Sequence, residues 1–287
     1  MDRKALAVGL LPSAWRSAAE QKLSENGEEI RLRAGRKPSV LILGREYEFS
    51  EEKLGEEQLR MVLEKASGAS LHAVSSSLSE GYLNYRGIRI GVCGTATVKD
   101  GKVMMFRRIS SLAIRVPREC RCSYDSEIRT LLSRPFENTL ILGPPGAGKT
   151  TLLRELIRRT SNLGYRVAVV DERNELAAMD EEGAAFDLGR CTDVLSGIPK
   201  DLGTEMLLRG MNPQIIAMDE VTAERDQAAL RKAAGCGVRI MASCHGSEQI
   251  NNSAGMKNLF DGMLFSWIFH VKLQDKLRSC RLERLVS

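Results

Sequence analysis

The chain has 287 residues, of which 43% are hydrophobic and 28% charged, and its 42 basic side chains outnumber its 37 acidic ones by five. This length can hold two domains of about 130 to 150 residues each, and the composition is that of a folded protein with an ordinary charged surface. The positive excess is mild. It favours anionic ligands in general and does not by itself indicate nucleic acid.

Cysteine usage and hydropathy indicate the cellular compartment in which the protein is expected. Seven cysteines, an odd number without a C-x-x-C pair, fit a reducing environment better than a disulfide framework. The N-terminal apolar run is short and is broken at Pro12, which is too weak for a signal peptide. No apolar run approaches the roughly 18 to 20 residues that span a bilayer. We therefore expect a cytoplasmic protein that reaches any membrane through a partner.

Short strands and amphipathic helices share the first half of the chain. Residue spacing predicts helices over 13–26 and 51–66, and alternation predicts strands over 28–32 and 39–43. From Gly81 the pattern changes to short strands, which read GYLNYRG, IRIGVCGTATV, VMMFRRI and LAIRV. The sequence predicts a smaller α+β domain over 1–116, a connecting segment over 117–135 and a second domain over 136–287.

Strands and helices alternate regularly in that second domain. The predicted strands span 139–142, 166–171, 214–219, 238–243 and 264–273, and the predicted helices span 149–160, 201–209 and 224–234. Such alternation implies right-handed βαβ crossovers and a mainly parallel sheet. The predicted fold class is α/β.

A glycine-rich loop follows the first of these strands. The motif G-x-x-x-x-G-K-T is met by Gly143, Pro144, Pro145, Gly146, Ala147, Gly148, Lys149 and Thr150, and Thr151 continues into a helix. The glycines let successive N–H groups converge on the phosphates, and the helix N-terminus favours an anion. The lysine adds a positive charge, and the threonine hydroxyl suits Mg²⁺. This motif between a strand and a helix predicts a P-loop NTPase core of the RecA/AAA-like type, with ATP and Mg²⁺ as cofactors.

Acidic and histidine side chains follow the neighbouring strands. Asp219 and Glu220 end a buried strand run, which places the aspartate beside Mg²⁺ and the glutamate next to the attacking water. Asp171 and Glu175 lie after the second strand, at the edge where ligands bind in open α/β sheets. The first is a further metal candidate and the second a catalytic candidate. His245 ends the fourth strand, where a polar side chain can sense the γ-phosphate.

A guanidinium from a neighbouring domain or subunit commonly meets the negative charge of the transferred phosphate. The candidates for this role are Arg86, Arg89 and Arg115 in the first domain and Arg209 before the third strand. Most of the other arginines are expected to be plain surface charge.

Several nucleotide-dependent classes fit less well. No N-K-x-D sequence follows the loop, which disfavours a small GTPase. The tripeptide Leu195-Ser196-Gly197 resembles the start of a transporter-ATPase signature, but Ile198-Pro199 follows it and too little chain precedes it for a helical subdomain. A small-molecule kinase stays open. The Asp-Glu pair and the strand-borne histidine fit better a hydrolase that converts ATP into motion.

Motifs along nearly the whole chain resemble one family. They are EIRLR (29–33), GYLNYRGIRIGVCGTA (81–96), ISSLAIR (109–115), GPPGAGKTT (143–151), VVDERNE (169–175) and MNP (211–213) ahead of IIAMDE. Together they are similar to stage III sporulation protein AA, a family related to the ATPases of type II and type IV secretion and pilus machines. The chain departs from that family at Arg86-Gly87-Ile88-Arg89, where Gly-Gly-His-Arg is common, so any role of that histidine is lost.

The resemblance implies an ATPase in the mother-cell cytoplasm of an endospore-forming bacterium, which energises a channel or secretion-like complex between mother cell and forespore. It implies a homo-oligomeric ring, commonly a hexamer, and membrane proteins of that complex as partners. By the same analogy residues 171–175 match an acidic box, Asp219-Glu220 the second Walker motif and His245 a histidine box. Two alternatives stay open, a nucleic-acid-stimulated motor and a nucleotide-gated scaffold. We expect no nucleic acid, because aromatic residues make up only 5% of the chain.

Overall fold

A computed structural model describes residues 3–23, 27–42, 44–68, 78–79, 81–99, 102–116, 122, 124–179, 183–184, 186–222, 224–246, 264–274 and 277–285. The chain divides into two compact units. The first comprises Met1–Arg118 with Asp180–Ala185, and the second comprises Glu119–Met179 with Phe186–Ser287. Within the described residues, no helix is both long and apolar enough to cross a bilayer.

The first unit contains a six-stranded sheet in which every pair is antiparallel, in the order β3-β2-β1-β6-β5-β4. Its elements are α1 (Arg3–Gly9), α2 (Ser13–Lys22), β1 (Gly27–Arg33), β2 (Ser39–Ile42), β3 (Arg45–Glu48), α3 (Glu56–Ala66), β4 (Tyr82–Tyr85), β5 (Ile88–Lys99) and β6 (Lys102–Arg115). One face of the sheet packs on the helices, because apolar side chains such as Ile30 and Leu32 alternate along β1 and are fully buried.

Local chemistry sets two boundaries that the sequence pattern misplaced. Helix α3 begins at Glu56 rather than at residue 51, because Gly55 is its N-cap and donates its N–H to the Gln58 side chain at 3.0 Å. The two strands predicted within 103–116 form one continuous strand, β6. Between β4 and β5 the turn consists of Arg86 and Gly87, which both have positive φ, as a tight two-residue hairpin requires.

The second unit contains a seven-stranded sheet in the order β13-β12-β7-β11-β10-β8-β9. All neighbours are parallel except β12 and β13, so the prediction of an α/β fold with a mainly parallel sheet is confirmed. The elements are α4 (Asp125–Leu132), β7 (Thr139–Gly143), α5 (Lys149–Asn162), β8 (Val167–Asp171), β9 (Thr192–Ser196), α6 (Lys200–Gly210), β10 (Ile215–Met218), α7 (Glu224–Gly235), β11 (Arg239–His245), β12 (Trp267–Gln274) and β13 (Leu277–Arg284).

The segment predicted as a connection over 117–135 has a different role in its described part. Helix α4 buries Ile128 and Leu131 in the core of the second unit, and Asp125 pairs with Arg159 of α5. The sequence shows a short helical pattern around 126–132, and the structure shows that this helix packs on the second unit. Residues 124–135 therefore belong to the second unit, and the division between the units falls at Arg118.

Candidate nucleotide site

The phosphate loop follows a fully buried strand of the second sheet. All five residues of β7 are buried, and Gly143 ends it against β12, where a Cβ would lie 2.4 Å from the carbonyl oxygen of Val271. Gly146 and Gly148 have φ of +73° and +97°, a left-handed backbone that disfavours any other residue. Helix α5 begins immediately afterwards at Lys149. The loop therefore has the glycines that a phosphate cradle needs at the positions where a side chain would interfere.

Lys149 and Thr150 reach from the first turn of α5 toward residues of other strands. The Lys149 ammonium donates to the Pro144 carbonyl at 2.9 Å and lies 3.0 Å from Nδ1 of His245. Burial lowers the pKa of this lysine, while the charges of Asp219 and other nearby acids oppose the shift. Thr150 donates its hydroxyl to Oδ2 of Asp219 at 2.6 Å. Thr150 therefore lies next to the aspartate that the sequence predicts beside Mg²⁺.

Asp219 is held by a serine on the neighbouring strand. The buried Ser243 donates its hydroxyl to Oδ1 of Asp219 and accepts the Glu220 N–H at 2.9 Å. The Glu220 N–H also lies 3.1 Å from the same Asp219 oxygen. These bonds fix the carboxylate with one oxygen toward the strand and the other toward Thr150. Ser243 was not predicted, because a serine inside an apolar strand carries no pattern that identifies its partner.

Glu220 occupies a left-handed backbone position, with φ of 52°. Its Oε1 lies 2.7 Å from Nε2 of His245, and its Oε2 pairs with Arg173. Burial opposes ionisation of this carboxyl, but the His245 hydrogen bond and the Arg173 charge outweigh it and lower the pKa of Glu220. Since the Lys149 ammonium can only donate, His245 accepts at Nδ1 and carries its proton on Nε2, which donates to Glu220. One chain of contacts thus joins lysine, histidine, glutamate and arginine.

The acidic loop after β8 gives Asp171 a structural task. Its two carboxylate oxygens accept the backbone N–H groups of Glu175, Leu176 and Ala177 at 2.8 to 3.0 Å. Burial raises the pKa of Asp171, against the effect of these three hydrogen bonds. Both oxygens take part in holding the turn, and the role of Asp171 as a metal ligand stays a prediction. Glu175 lies in the same pocket as the Asp219-Glu220 pair, so its catalytic role stays a prediction.

Arg209, the arginine candidate of the second unit, lies outside this constellation. Arg209 is at the last turn of α6, 80% exposed, and lies 3.6 Å from Glu205 of the same helix. Because α6 runs from the carboxyl edge back to the amino edge of the sheet, Arg209 does not reach the site of its own chain. In the first unit, Arg89 lies over the ring of Tyr82 and Arg115 is 3.5 Å from Glu29.

A buried lysine completes the pocket beside Glu220 and was also missed. Lys200 begins α6, and its ammonium lies 2.5 Å from Glu172 and 4.0 Å from Asp226. The pocket is lined by Val170, Asp171, Glu172, Arg173, Glu175, Lys200, Asp219 and Glu220. Arg173 and Lys200 supply positive charge to a wall that the sequence had indicated as mainly acidic.

The residues present fit a nucleotide with Mg²⁺. Among the described residues no group of three or more histidine, cysteine or acidic side chains is arranged to hold a metal. Mg²⁺ does not need one, since it binds through one or two protein oxygens, waters and substrate phosphates. Thr150 and Asp219 offer that donor pair beside the loop, and a Cβ added at Gly146 would meet nothing within 4 Å.

Comparison with known proteins agrees with this geometry. The family described as "Sporulation stage III, protein AA" matches residues 3–280. The chain belongs to this family. Stage III sporulation protein AA of Bacillus subtilis (strain 168) is 33% identical over 225 residues, which are 76% of this chain and 73% of that protein. Protein SEEDLING PLASTID DEVELOPMENT 1 of Arabidopsis thaliana is 25% identical over 83% of this chain, which spans only 32% of that protein.

Solved structures share the fold of this family member at low sequence identity. The pilus retraction motor PilT with bound ADP has a TM-score of 0.64 at 16% identity, over 93% of this chain and 81% of that one. The ATPase DotB of Legionella pneumophila has a TM-score of 0.61 at 16% identity, over 96% of this chain and 81% of that one. These likenesses place the chain in the fold of secretion and motor ATPases.

Proposed function

We propose that this sporulation protein is a Mg²⁺-dependent ATP hydrolase that works as a homo-oligomer. The observation that carries the proposal is the bond from Thr150 to Asp219, which brings the phosphate loop and the acidic strand end together as a metal site. Lys149 lies on the same helix turn and provides charge for the phosphates. The PilT structure was solved with bound ADP, which supports a nucleotide in the corresponding loop here.

Each component of the site has a separate role in the proposed reaction. Bound Mg²⁺ would neutralise phosphate charge and orient the phosphates. Glu220 has the low pKa of an ionised carboxylate, so it can accept a hydrogen bond from water and orient it. Both of its oxygens are now engaged, by His245 and by Arg173. Each carboxylate oxygen can accept a second hydrogen bond, so Glu220 can hold a water while His245 and Arg173 keep it in position.

The proposed cellular role is inferred from the family, because the fold alone does not indicate where the protein acts. We propose that the protein acts in the mother-cell cytoplasm and energises a channel or secretion-like complex, bound to membrane proteins of that complex. We further propose a hexameric ring, as the resemblance to secretion ATPases implies. Arg209 is exposed and distant from its own site, so it suits a trans role at a neighbour's site. Arg86, Arg89 and Arg115 are the alternatives for that role.

The decisive experiment measures ATP hydrolysis and particle mass together. Wild-type protein is expected to hydrolyse ATP only with Mg²⁺, and both Lys149→Ala and Glu220→Gln are expected to abolish hydrolysis. Light scattering should show assembly on addition of ATP to the Glu220→Gln variant, which binds nucleotide without turning it over. Absence of hydrolysis in the wild type under all assembly conditions would refute the motor and favour the nucleotide-gated scaffold.

A second experiment measures the hydrolysis rate with added DNA or RNA, which distinguishes the proposed function from a nucleic-acid motor. We expect DNA and RNA to leave the hydrolysis rate unchanged within about twofold, since the chain has few aromatics for stacking on bases. Stimulation of tenfold or more by single-stranded DNA or RNA would instead favour a nucleic-acid motor. Normal spore formation after deletion of the gene in the source organism would refute the sporulation role.

A further inference from the structure

The last hairpin of the chain extends past the sheet and reaches the phosphate loop. The parallel pairing of β12 with β7 ends at His270, opposite Leu142, whereas β12 continues to Gln274. Burial follows the same boundary, because the strand is buried from Trp267 to Val271 and exposed afterwards. We call Lys272–Gln274 and Leu277–Ser279 the hairpin tip. It stands at the carboxyl edge of the sheet, beside the loop that begins at Gly143.

Arg278 of the hairpin tip lies along the glycines of the loop. Its Nη2 is 3.4 Å from the Gly146 carbonyl oxygen, a long hydrogen bond. A Cβ built on Gly148 would lie 3.5 Å from Cδ and 3.6 Å from Nε of Arg278. The side chain therefore covers the part of the loop where the left-handed glycines turn the backbone into α5.

Among the described residues, the Arg278 guanidinium has no acidic partner. Within the described part of the chain no carboxylate lies at ion-pair distance from Arg278, whereas Arg173 pairs with Glu220, and Arg158 and Arg159 pair with Glu155. A guanidinium offers five donors, and the one contact to a carbonyl leaves most of them unused. A planar guanidinium next to a glycine-rich loop can bind phosphate oxygens in a forked manner.

We propose that Arg278 is a nucleotide-binding residue that contacts the phosphates shared by ADP and ATP. It touches the glycine side of the loop and none of Asp219, Glu220 or His245, the side chains beside the reacting phosphate. The proposal rests on the proposed function, since it needs a nucleotide in this loop. It makes the C-terminal hairpin part of the site, in addition to its role as the edge of the sheet.

The test compares four variants by titration with ADP and with ATP. The titrations use the full-length Glu220→Gln protein in Mg²⁺ at fixed salt. Arg278→Ala is expected to weaken both nucleotides about tenfold, which corresponds to about 1.4 kcal/mol. Arg278→Gln keeps a donor for the Gly146 carbonyl but has no charge, so it should bind like Arg278→Ala. Arg278→Lys should recover most of the affinity. Arg281→Ala is the matched control, since Arg281 lies on the same strand and pairs with Glu283 at 2.8 Å.

The outcomes distinguish a charge contact between Arg278 and the nucleotide from a role of Arg278 in holding the loop. If Arg278 only held the loop through Gly146, Arg278→Gln would bind nucleotide as tightly as the parent protein, and Arg278→Lys would bind no more tightly than Arg278→Gln. That result would overturn the proposal. A loss confined to ATP would overturn it as well, because it would place the arginine at the γ-phosphate. The ratio of affinities between parent and Arg278→Ala should shrink as salt is raised, since salt screens an exposed charge.

Failure of the wider function would look different. If the parent protein did not bind ADP, or if Lys149→Ala bound it equally well, the nucleotide site itself would be wrong. If the parent bound ADP, Lys149→Ala did not, and Arg278→Ala matched Arg281→Ala, only the role of Arg278 would be refuted. Thermal unfolding without nucleotide is the folding control, and Arg278→Ala should not shift it, because the side chain is exposed.

Discussion

Replacement of Lys200 by methionine isolates the contribution of a buried cation to the stability of the second unit. The Lys200 side chain is 6% exposed, and its ammonium lies between the carboxylates of Glu172 and Asp226. Methionine keeps most of the hydrocarbon but removes the cation between the two carboxylates, of which Asp226 keeps Arg225 at 3.9 Å. Loss of one partner from a buried ion pair costs about 3 to 5 kcal/mol. We expect the lower end, about 3 kcal/mol, because Glu172 is 29% exposed and can turn toward water.

The assay uses the two tryptophans of the chain, one in each unit. Trp15→Phe leaves Trp267, which is buried in the second unit, as the sole tryptophan and therefore reports that unit alone. A loss of about 3 kcal/mol lowers the melting temperature of a unit of this size by about 6 to 12 °C. The measurement is thermal unfolding followed by tryptophan fluorescence, without nucleotide, in the Trp15→Phe background.

Lys232→Met is the matched control, because Lys232 is 52% exposed and pairs with Glu205 on the surface. Exposed pairs contribute about 0 to 1 kcal/mol, so its melting point should fall by at most a few degrees. Adding Glu172→Gln to Lys200→Met should restore part of the stability, since it removes one uncompensated charge. The reasoning is refuted if Lys200→Met and Lys232→Met have the same melting temperature. It is also refuted if Glu172→Gln, added to Lys200→Met, lowers the melting temperature further.

Three other changes test the metal site, the loop and the first sheet. Ser243→Ala should raise the Mg²⁺ concentration for half-maximal hydrolysis about tenfold, because Asp219 loses the hydroxyl that orients it. Gly143→Ala should destabilise the second unit by about 2 to 3 kcal/mol in urea unfolding, since its Cβ would overlap the backbone of Val271. A hydrogen bond from a neighbouring arginine lowers the pKa of Glu46 to about 2 from 4.5, so its contribution to stability is full above about pH 4.5 and is lost as pH falls toward 2.

Each of these predictions has a comparison that decides it. Ser196→Ala removes a hydroxyl that bonds to the acidic loop rather than to Asp219, and it should leave the Mg²⁺ requirement unchanged. Gly210→Ala adds a Cβ in open space and should change stability by less than about 0.5 kcal/mol. Glu46→Gln should flatten the acid part of the stability curve of the first unit. Parallel curves for the two proteins between pH 5 and pH 2 would contradict the Glu46 reasoning.

Features set by local sequence were predictable here. The phosphate loop, Asp219 with Glu220, and His245 were identified because each follows a buried strand, and the carboxyl ends of parallel strands share one edge. That rule places side chains near one another without any knowledge of the contacts. The bond from Thr150 to Asp219 is its direct outcome.

Features set by distant neighbours were not predictable. Strand β13 was missed because five of its eight residues are polar or charged, and its pairing with β12 defines it. Ser243 and Lys200 were missed for a related reason, since each owes its role to a carboxylate more than twenty residues away. Arg209 was proposed from its position before a strand, but the direction of α6 carries it away from the site.

The left-handed backbone at Glu220 has a consequence for selection. A residue other than glycine or asparagine in this conformation costs of order 1 kcal/mol. Glycine at this position would remove that cost, but it would also remove the contacts to His245 and Arg173. The glutamate is therefore kept in an unfavourable backbone conformation for the sake of its side chain, and screening for folding alone gives no reason to retain it.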